Sequence, residues 1–196
     1  WSSGGQYFFG FYPGDLAEPV DFSRGFLSPY VSHDTEIWQC PEFTEFFPLA
    51  QGPTCGYAYN YYYLTQTHPS VVGLPWWDPG YKDWKVGRET AVIRKTTTTV
   101  LFGDSAKVLS WGGPKRGYLV ENWHWTPFKE IDEMAAEWGF EPLYEPYTHF
   151  RHRGQANVVW ADNHVDSRKP HPFASLDKHS LGYLCGPDDV YFDPGK

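Results

Sequence analysis

Proline and glycine interrupt this sequence before most apolar runs can reach the length of an ordinary helix. In the first sixty residues Pro13-Gly14, Pro19, Pro29, Pro41, Pro48 and Gly52-Pro53 break up the apolar clusters. Proline lacks an N–H and fixes its own backbone, while glycine weakens regular structure through its freedom. Together they supply 36 of the 196 residues, about 18% against a usual share near 12%. Such a chain is expected to fold into short strands and many turns, with little helix. A mass of 22.6 kDa fits one domain spanning 1–196, long enough to bury roughly 70% of its unfolded surface.

A loop-rich chain must be held by something other than long elements, and aromatic rings at 19% of residues are the obvious material. Disordered segments are poor in such rings, so an ordered domain is expected. The net charge of −8 opposes binding to phosphate backbones or anionic lipid, which argues against a nucleic-acid partner. No run approaches the roughly 18 consecutive apolar residues of a membrane span. The chain opens at Trp1 and its methionine is Met134, so the sequence reads as a processed product or a fragment.

Several elements are legible. Gly25 to Tyr30 suits a short helical turn or an extended anchor. Tyr57 to Leu64 is aromatic enough for a strand, interrupted by Asn60. Residues 68–90 read as a long surface excursion. Thr96 to Phe102 looks like the clearest β run, with Gly103-Asp104-Ser105 stopping it. One convincing helix lies near 127–138: Thr126 suits its cap, Pro127 its first position and Gly139 its exit. Phe128, Ile131, Ala135 and Trp138 put an apolar stripe on it. Asn157 to Ala161 and His164 to Arg168 form two strands around a two-residue Asp162-Asn163 turn, a β-hairpin. The fold class expected is α+β with an antiparallel sheet.

Three cysteines are present. Cys40 and Cys55 bracket 14 residues, a loop that a disulfide would stabilise by about 3 kcal/mol, leaving Cys185 over. The alternative is three reduced, buried thiols.

No motif compels a catalytic assignment. There is no G-x-S-x-G elbow, P-loop, G-x-G-x-x-G after a strand, H-E-x-x-H or paired C-x-x-C. Eight histidines invite a metal reading. His149, His152 and His164 lie near Asp162 and Asp166 in sequence, and a hairpin brings some of them close. His152, Asp162 and His164 are therefore one candidate set for a divalent ion. The structural alternative has His152 bonding the turn carboxylate Asp162. Asp188, Asp189 and Asp193 form a second set, suited to Ca²⁺ through oxygen ligands, or simply a solvated acidic tail. Asp104 is a third candidate partner. The leading reading requires no cofactor, and these sets leave Ca²⁺ or another divalent ion as the alternative.

Tryptophan opens another class of function. Trp76, Trp77, Trp111, Trp123 and Trp125 could stack on sugar faces in a secreted carbohydrate-binding module, or serve the core and protein contacts. None of Asn60, Asn122, Asn157 and Asn163 lies in an N-x-S/T context, so any glycan is expected to be O-linked.

The hairpin segment also resembles a known family. Arg151-His152-Arg153-Gly154-Gln155-Ala156-Asn157-Val158-Val159-Trp160-Ala161-Asp162-Asn163-His164-Val165 is similar to the R-H-x-G-x-A-N-V-x-x-A-D-G-H-V signature of prepilin-type proteins, relatives of type IV pilins and type II secretion pseudopilins. In that signature a His and an Asp-Gly are separated by nine residues, and Asn163 stands here where the family has Gly. Further blocks follow in family order. Trp38-Gln39-Cys40-Pro41, Gly56-Tyr57-Ala58-Tyr59-Asn60, Thr99 to Ala106 and Leu181 to Asp189 resemble its other conserved steps.

The resemblance implies a pilin-like globular head, preceded in the full-length protein by an apolar helix that anchors in a membrane and packs inside a filament. It implies a non-enzymatic, extracellular or cell-surface structural subunit whose partners are copies of itself. His152, Gly154, Asn157, Asp162, Asn163 and His164 would organise the hairpin, and Cys40–Cys55 would close the loop leading to the sheet. A carbohydrate-binding module and a metal-dependent hydrolase built on the His/Asp set are the competing readings.

Overall fold

The computed structural model describes residues 5–13, 18, 20–32, 34, 36–38, 40–43, 55–67, 85–108, 119, 120, 122 and 124–196. Among the described residues twelve short strands and two α-helices follow in order: β1 (Gly5–Gln6), β2 (Phe11–Tyr12), β3 (Tyr57–Tyr59), α1 (Tyr61–Leu64), β4 (Thr65–Thr67), β5 (Lys85–Gly87) and β6 (Val100–Asp104). Then come β7 (Lys107–Val108), β8 (Leu119–Val120), α2 (Phe128–Trp138), β9 (Thr148–His149), β10 (Ala156–Trp160), β11 (Val165–Arg168) and β12 (Leu181–Gly182). Four of these strands make the central antiparallel sheet, in the order β11-β10-β6-β3. The others pair as two-stranded ribbons around it. The expected α+β class with an antiparallel sheet is what the chain adopts.

The sheet buries one face by strict alternation. Ala156, Val158 and Trp160 of β10 are all 0% exposed, as a strand period of two requires. Val158 and Trp160 join Val100, Ala58, Trp125, Leu184 and Phe192 in the principal core. Gly103 sits opposite both Val158 and Ala58, and a Cβ there would come within 2.9 Å of the Trp125 ring and 2.8 Å of the Asn157 carbonyl oxygen. A bare backbone at 103 thus lets Trp125 close on the sheet. On the other face Phe102 meets Tyr59 and Phe8, both with ring centroids 5.1 Å away.

Three local expectations change. Thr96–Thr99 do not extend β6: Thr98 and Thr99 donate their backbone N–H groups and hydroxyls to the Lys95 carbonyl. Hydroxyl-to-backbone bonding has won over β propensity there. Asp104, expected to stop the strand, is its last residue. The aromatic run 57–64 is strand only to Tyr59, because the buried Asn60 amide donates to the carbonyls of Val100 (3.0 Å) and Phe192 (2.8 Å). The chain turns there into α1.

The hairpin and the longer helix form as expected, with corrections at their ends. β10 and β11 pair from Ala156↔Arg168 to Val159↔Val165. Their connection is a β-turn closed by Asn163 N–H to Trp160 O (2.9 Å), with Asn163 at φ 71°. The loop is therefore a turn followed by a left-handed residue rather than a two-residue turn. Helix α2 exits through Gly139 at φ 72°, as the sequence predicts. At its start Pro127 is the flanking residue and supplies no side-chain cap, and Thr126 lies one position outside it.

Candidate functional site

Blocks distant in sequence meet at one end of β6. Cys40 follows the single turn Glu36–Trp38 and is held by a tight turn in which Phe43 N–H donates to its carbonyl at 2.9 Å. Gly56 leads into β3, and Asp104 ends β6. Arg151 and His152 arrive from β9 just before a two-residue turn, where Arg153 (φ 56°) and Gly154 (φ 77°) both adopt left-handed backbone. His152 and Gln155 exchange backbone hydrogen bonds across that turn at 3.0 and 3.1 Å. The turn aims Arg151 and His152 back over the sheet and starts β10, whose Asn157 faces the same point.

Asp104 is the centre of the cluster and is fully buried. Its Oδ1 accepts from Arg151 Nη2 at 2.7 Å. Its Oδ2 accepts the backbone N–H of Asn157 at 2.6 Å and faces His152 Nε2 at 3.1 Å. Arg151, with its side chain only 3% exposed, also donates to the carbonyls of Gly56 (2.5 Å) and Ser105 (3.3 Å). Its guanidinium lies over the Phe43 ring, 5.1 Å from the centroid. These contacts offset much of the cost of burying the pair, although Arg151 Nε finds no hydrogen-bond partner among the described residues.

His149 completes the arginine's surroundings. Burial, and then the neighbouring Arg151 charge, push its pKa down to about 4. The imidazole is neutral near pH 7, and its Nδ1 accepts from Arg151 Nη1 at 3.1 Å, since a guanidinium can only donate. Burial is also the main reason that the Tyr57 hydroxyl titrates higher than usual, with the nearby Cys40 and Asp104 adding to it.

The residues expected to act together are distributed otherwise. His152 faces Asp104 and Cys40, at 3.1 and 3.6 Å, and does not join Asp162 and His164. Those two form an exposed pair at the hairpin tip, with Asp162 Oδ1 accepting from His164 N (3.2 Å) and lying 2.5 Å from its Nδ1. The first of these contacts is the leading reason that Asp162 ionises below the usual carboxylate range. Asn157 bonds Ser167 across the hairpin (2.7 Å), while Gly154 and Asn163 supply the left-handed turns.

Asp188, Asp189 and Asp193 do not converge either. Asp189 is buried under α2, and Asp193 caps the backbone N–H of Gly195 at 2.9 Å. Among the described residues, Cys40, Asp104 and His152 are the group whose donor atoms all lie within 4.8 Å of one another. Sequence reasoning named Asp104 only as an auxiliary and missed Cys40 and Arg151 as its partners. The available signal was a carboxylate closing an apolar strand, answered by an Arg-His pair next to another strand.

The Cys40–Cys55 disulfide is not formed; all three cysteines are buried thiols. The two sulfurs are engaged in different places, Cys40 Sγ at His152 Nε2 (3.6 Å) and Cys55 Sγ at the Tyr57 carbonyl (2.9 Å). Cys185 lies in the main core, where burial pushes its thiol up to about 12.

The arrangement also bears on catalysis. A thiol–imidazole–carboxylate relay passes its proton through both ring nitrogens. Here Cys40 and Asp104 both face the same nitrogen, Nε2, so the imidazole does not bridge them. Of the tryptophans suited to stacking on sugars, Trp125 is 2% exposed and belongs to the core; Trp76, Trp77, Trp111 and Trp123 lie outside the described residues. Beside Trp125, a cavity lined by Phe128, Tyr147, Leu184 and Phe192 measures only ≈ 20 Å³, room for about one water molecule. Searches against family models, curated proteins and solved structures find no match.

Proposed function

We propose that this chain is a structural, non-enzymatic subunit, the globular head of a pilin-like or pseudopilin-like protein, displayed at the cell surface or outside the cell in a polymer of its own copies. One observation carries the reading. The blocks on which the family resemblance rests converge on a buried ion-pair cluster that ties strands together. Cys40, Gly56, Asp104, Ser105, Arg151, His152 and Asn157 come from four of those blocks, and most of their polar atoms are spent on one another. Apolar surface for contact with a neighbouring copy is present at the end of α2, where Trp138 and Leu143 are 68% and 70% exposed.

The test is electron microscopy of the native product recovered from cells, with mass spectrometry of its N-terminus. Filaments whose subunit begins with an apolar, N-methylated segment ahead of Trp1 are the expected result. A monodisperse product that begins at Trp1 and stays monomeric at high concentration overturns the reading. Tryptophan fluorescence titrated with oligosaccharides checks the competing binding-module reading, for which a flat response is expected.

A further inference from the structure

The geometry points to a zinc-class divalent cation site formed by Cys40 Sγ, Asp104 Oδ2 and His152 Nε2, with water as the fourth ligand. This is neither of the two sets suggested by sequence spacing, and it does not depend on whether the chain polymerises. Around a tetrahedral zinc, bond lengths of about 2.3 Å to sulfur and 2.0–2.2 Å to nitrogen and oxygen place sulfur and nitrogen about 3.6 Å apart, and nitrogen and oxygen about 3.4 Å apart. The corresponding separations here are 3.6 Å and 3.1 Å. A thiolate, an imidazole and a carboxylate together favour zinc over calcium or magnesium, which prefer oxygen alone.

A single ring nitrogen faces both groups, so a hydrogen bond to one is made at the expense of the other, the Cys40 sulfur being only a weak acceptor. If Nε2 carries a proton and donates it to Asp104, the Cys40 S–H has no lone pair to bond on that nitrogen. If Nε2 accepts from Cys40, its lone pair confronts the carboxylate at 3.1 Å. A cation resolves both conflicts, because three lone pairs then converge on one centre. Binding deprotonates Cys40, and the proton leaves to water.

The surroundings suit such an ion. Arg151 holds Asp104 by its other oxygen, Oδ1, and the Asn157 N–H occupies one lone pair of Oδ2. The carboxylate is thus oriented without being consumed, as outer partners of metal ligands do. Thiolate and carboxylate give −2, and Arg151 leaves a local charge of −1 for the dication to meet. The His152 side chain is 25% exposed while that of Asp104 is fully buried, so the site opens to solvent on the imidazole side. That opening provides both an entry path and room for the water.

Cobalt(II) reports on this directly. The chain, stripped with a chelator and kept reduced, is titrated with Co²⁺ alone. The expected result is saturation at one equivalent, with a thiolate-to-cobalt band in the near-ultraviolet and visible bands of tetrahedral intensity, both erased by Zn²⁺. Cys40→Ser should remove the near-ultraviolet band and His152→Ala the saturable binding, whereas Cys185→Ser and His164→Ala should keep both. Absence of the near-ultraviolet band from the unmutated protein at several equivalents overturns the proposal and needs no variant to fold. A band of full intensity in Cys40→Ser, or one lost in His164→Ala, overturns it equally.

Discussion

The carboxylate of Asp189 caps helix α2 from the far end of the sequence: its Oδ1 accepts the backbone N–H of Phe128, 61 positions away, at 3.1 Å. Oδ2 takes the neighbouring Lys129 N–H at 2.9 Å and the Tyr63 hydroxyl at 3.1 Å. The first N–H groups of a helix have no partner within it, and an anion there is favoured by the helix dipole as well. One buried side chain thus ties the C-terminal segment, α1 and α2 together. Burial raises the Asp189 carboxyl above its ordinary range even though its three donors oppose the shift.

Asp189→Ala should therefore cost more than an ordinary lost cap, about 2–3 kcal/mol, since it strands a buried hydroxyl along with two N–H groups. Urea unfolding measures this as a fall in midpoint at constant slope. A loss under about 0.5 kcal/mol, the range of ordinary surface changes, would show that water replaces the carboxylate freely.

Breaking the ion pair of Arg151 with Asp104 leaves one charge stranded in the interior. Either Asp104→Ala or Arg151→Ala is expected to cost about 3–5 kcal/mol. The double variant should be much less destabilised than the sum of the two, because it strands no charge. Thermal or chemical unfolding of the four proteins completes the cycle, and simple additivity would remove the pair as a coupled unit.

His149 makes stability depend on pH in a definite direction. Its folded pKa is near 4 against an ordinary 6.5, so between those values the unfolded chain binds a proton that the folded chain does not. Its contribution is fully present above pH 6.5, declines as pH falls, and is lost by about pH 4, amounting to about 3 kcal/mol. His124, also brought down to about 4, chiefly by burial and then by the Lys107 charge, acts with the same sign. Melting temperature should fall between pH 7 and pH 4.5, and His149→Gln should flatten part of that slope.

Gly103 is predicted to reject even one methyl group. A Cβ would sit 2.9 Å from the Trp125 ring and 2.8 Å from the Asn157 carbonyl oxygen. Overpacking of this kind costs about 1–3 kcal/mol. Gly103→Ala should lower the melting temperature and, by displacing Trp125, change the tryptophan fluorescence of the folded protein.

The thiols supply a chemical check. Unreduced protein, unfolded and alkylated, should be labelled at Cys40, Cys55 and Cys185 alike, since none is paired. In the folded state Cys185, 1% exposed with a pKa near 12, should react more slowly than Cys40, which is 7% exposed. Recovery of a Cys40–Cys55 linked peptide from native material would contradict both statements about those two sulfurs.

What the sequence by itself determined is the local layer. The apolar stripe and Gly139 define α2, alternation and Asn163 define the hairpin, and proline and glycine keep the remaining elements short. Each of these depends on residues within a few positions of one another, so propensity and periodicity suffice. The resemblance blocks were legible too, but only as separate words.

Tertiary structure alone decided what those blocks do. Cys40, Asp104 and His152 are separated by as many as 112 positions, and no local rule predicts that His152 turns to Asp104 instead of Asp162. The choice follows from burial. Asp104 ends a central strand that admits no water, and a carboxylate in such a place must have an arginine and donors brought to it. The exposed Asp162, by contrast, keeps solvent and the nearby His164. The same reason took Cys40 away from Cys55 and set it beside His152, whereas the threonine run was overridden locally, by the Lys95 carbonyl.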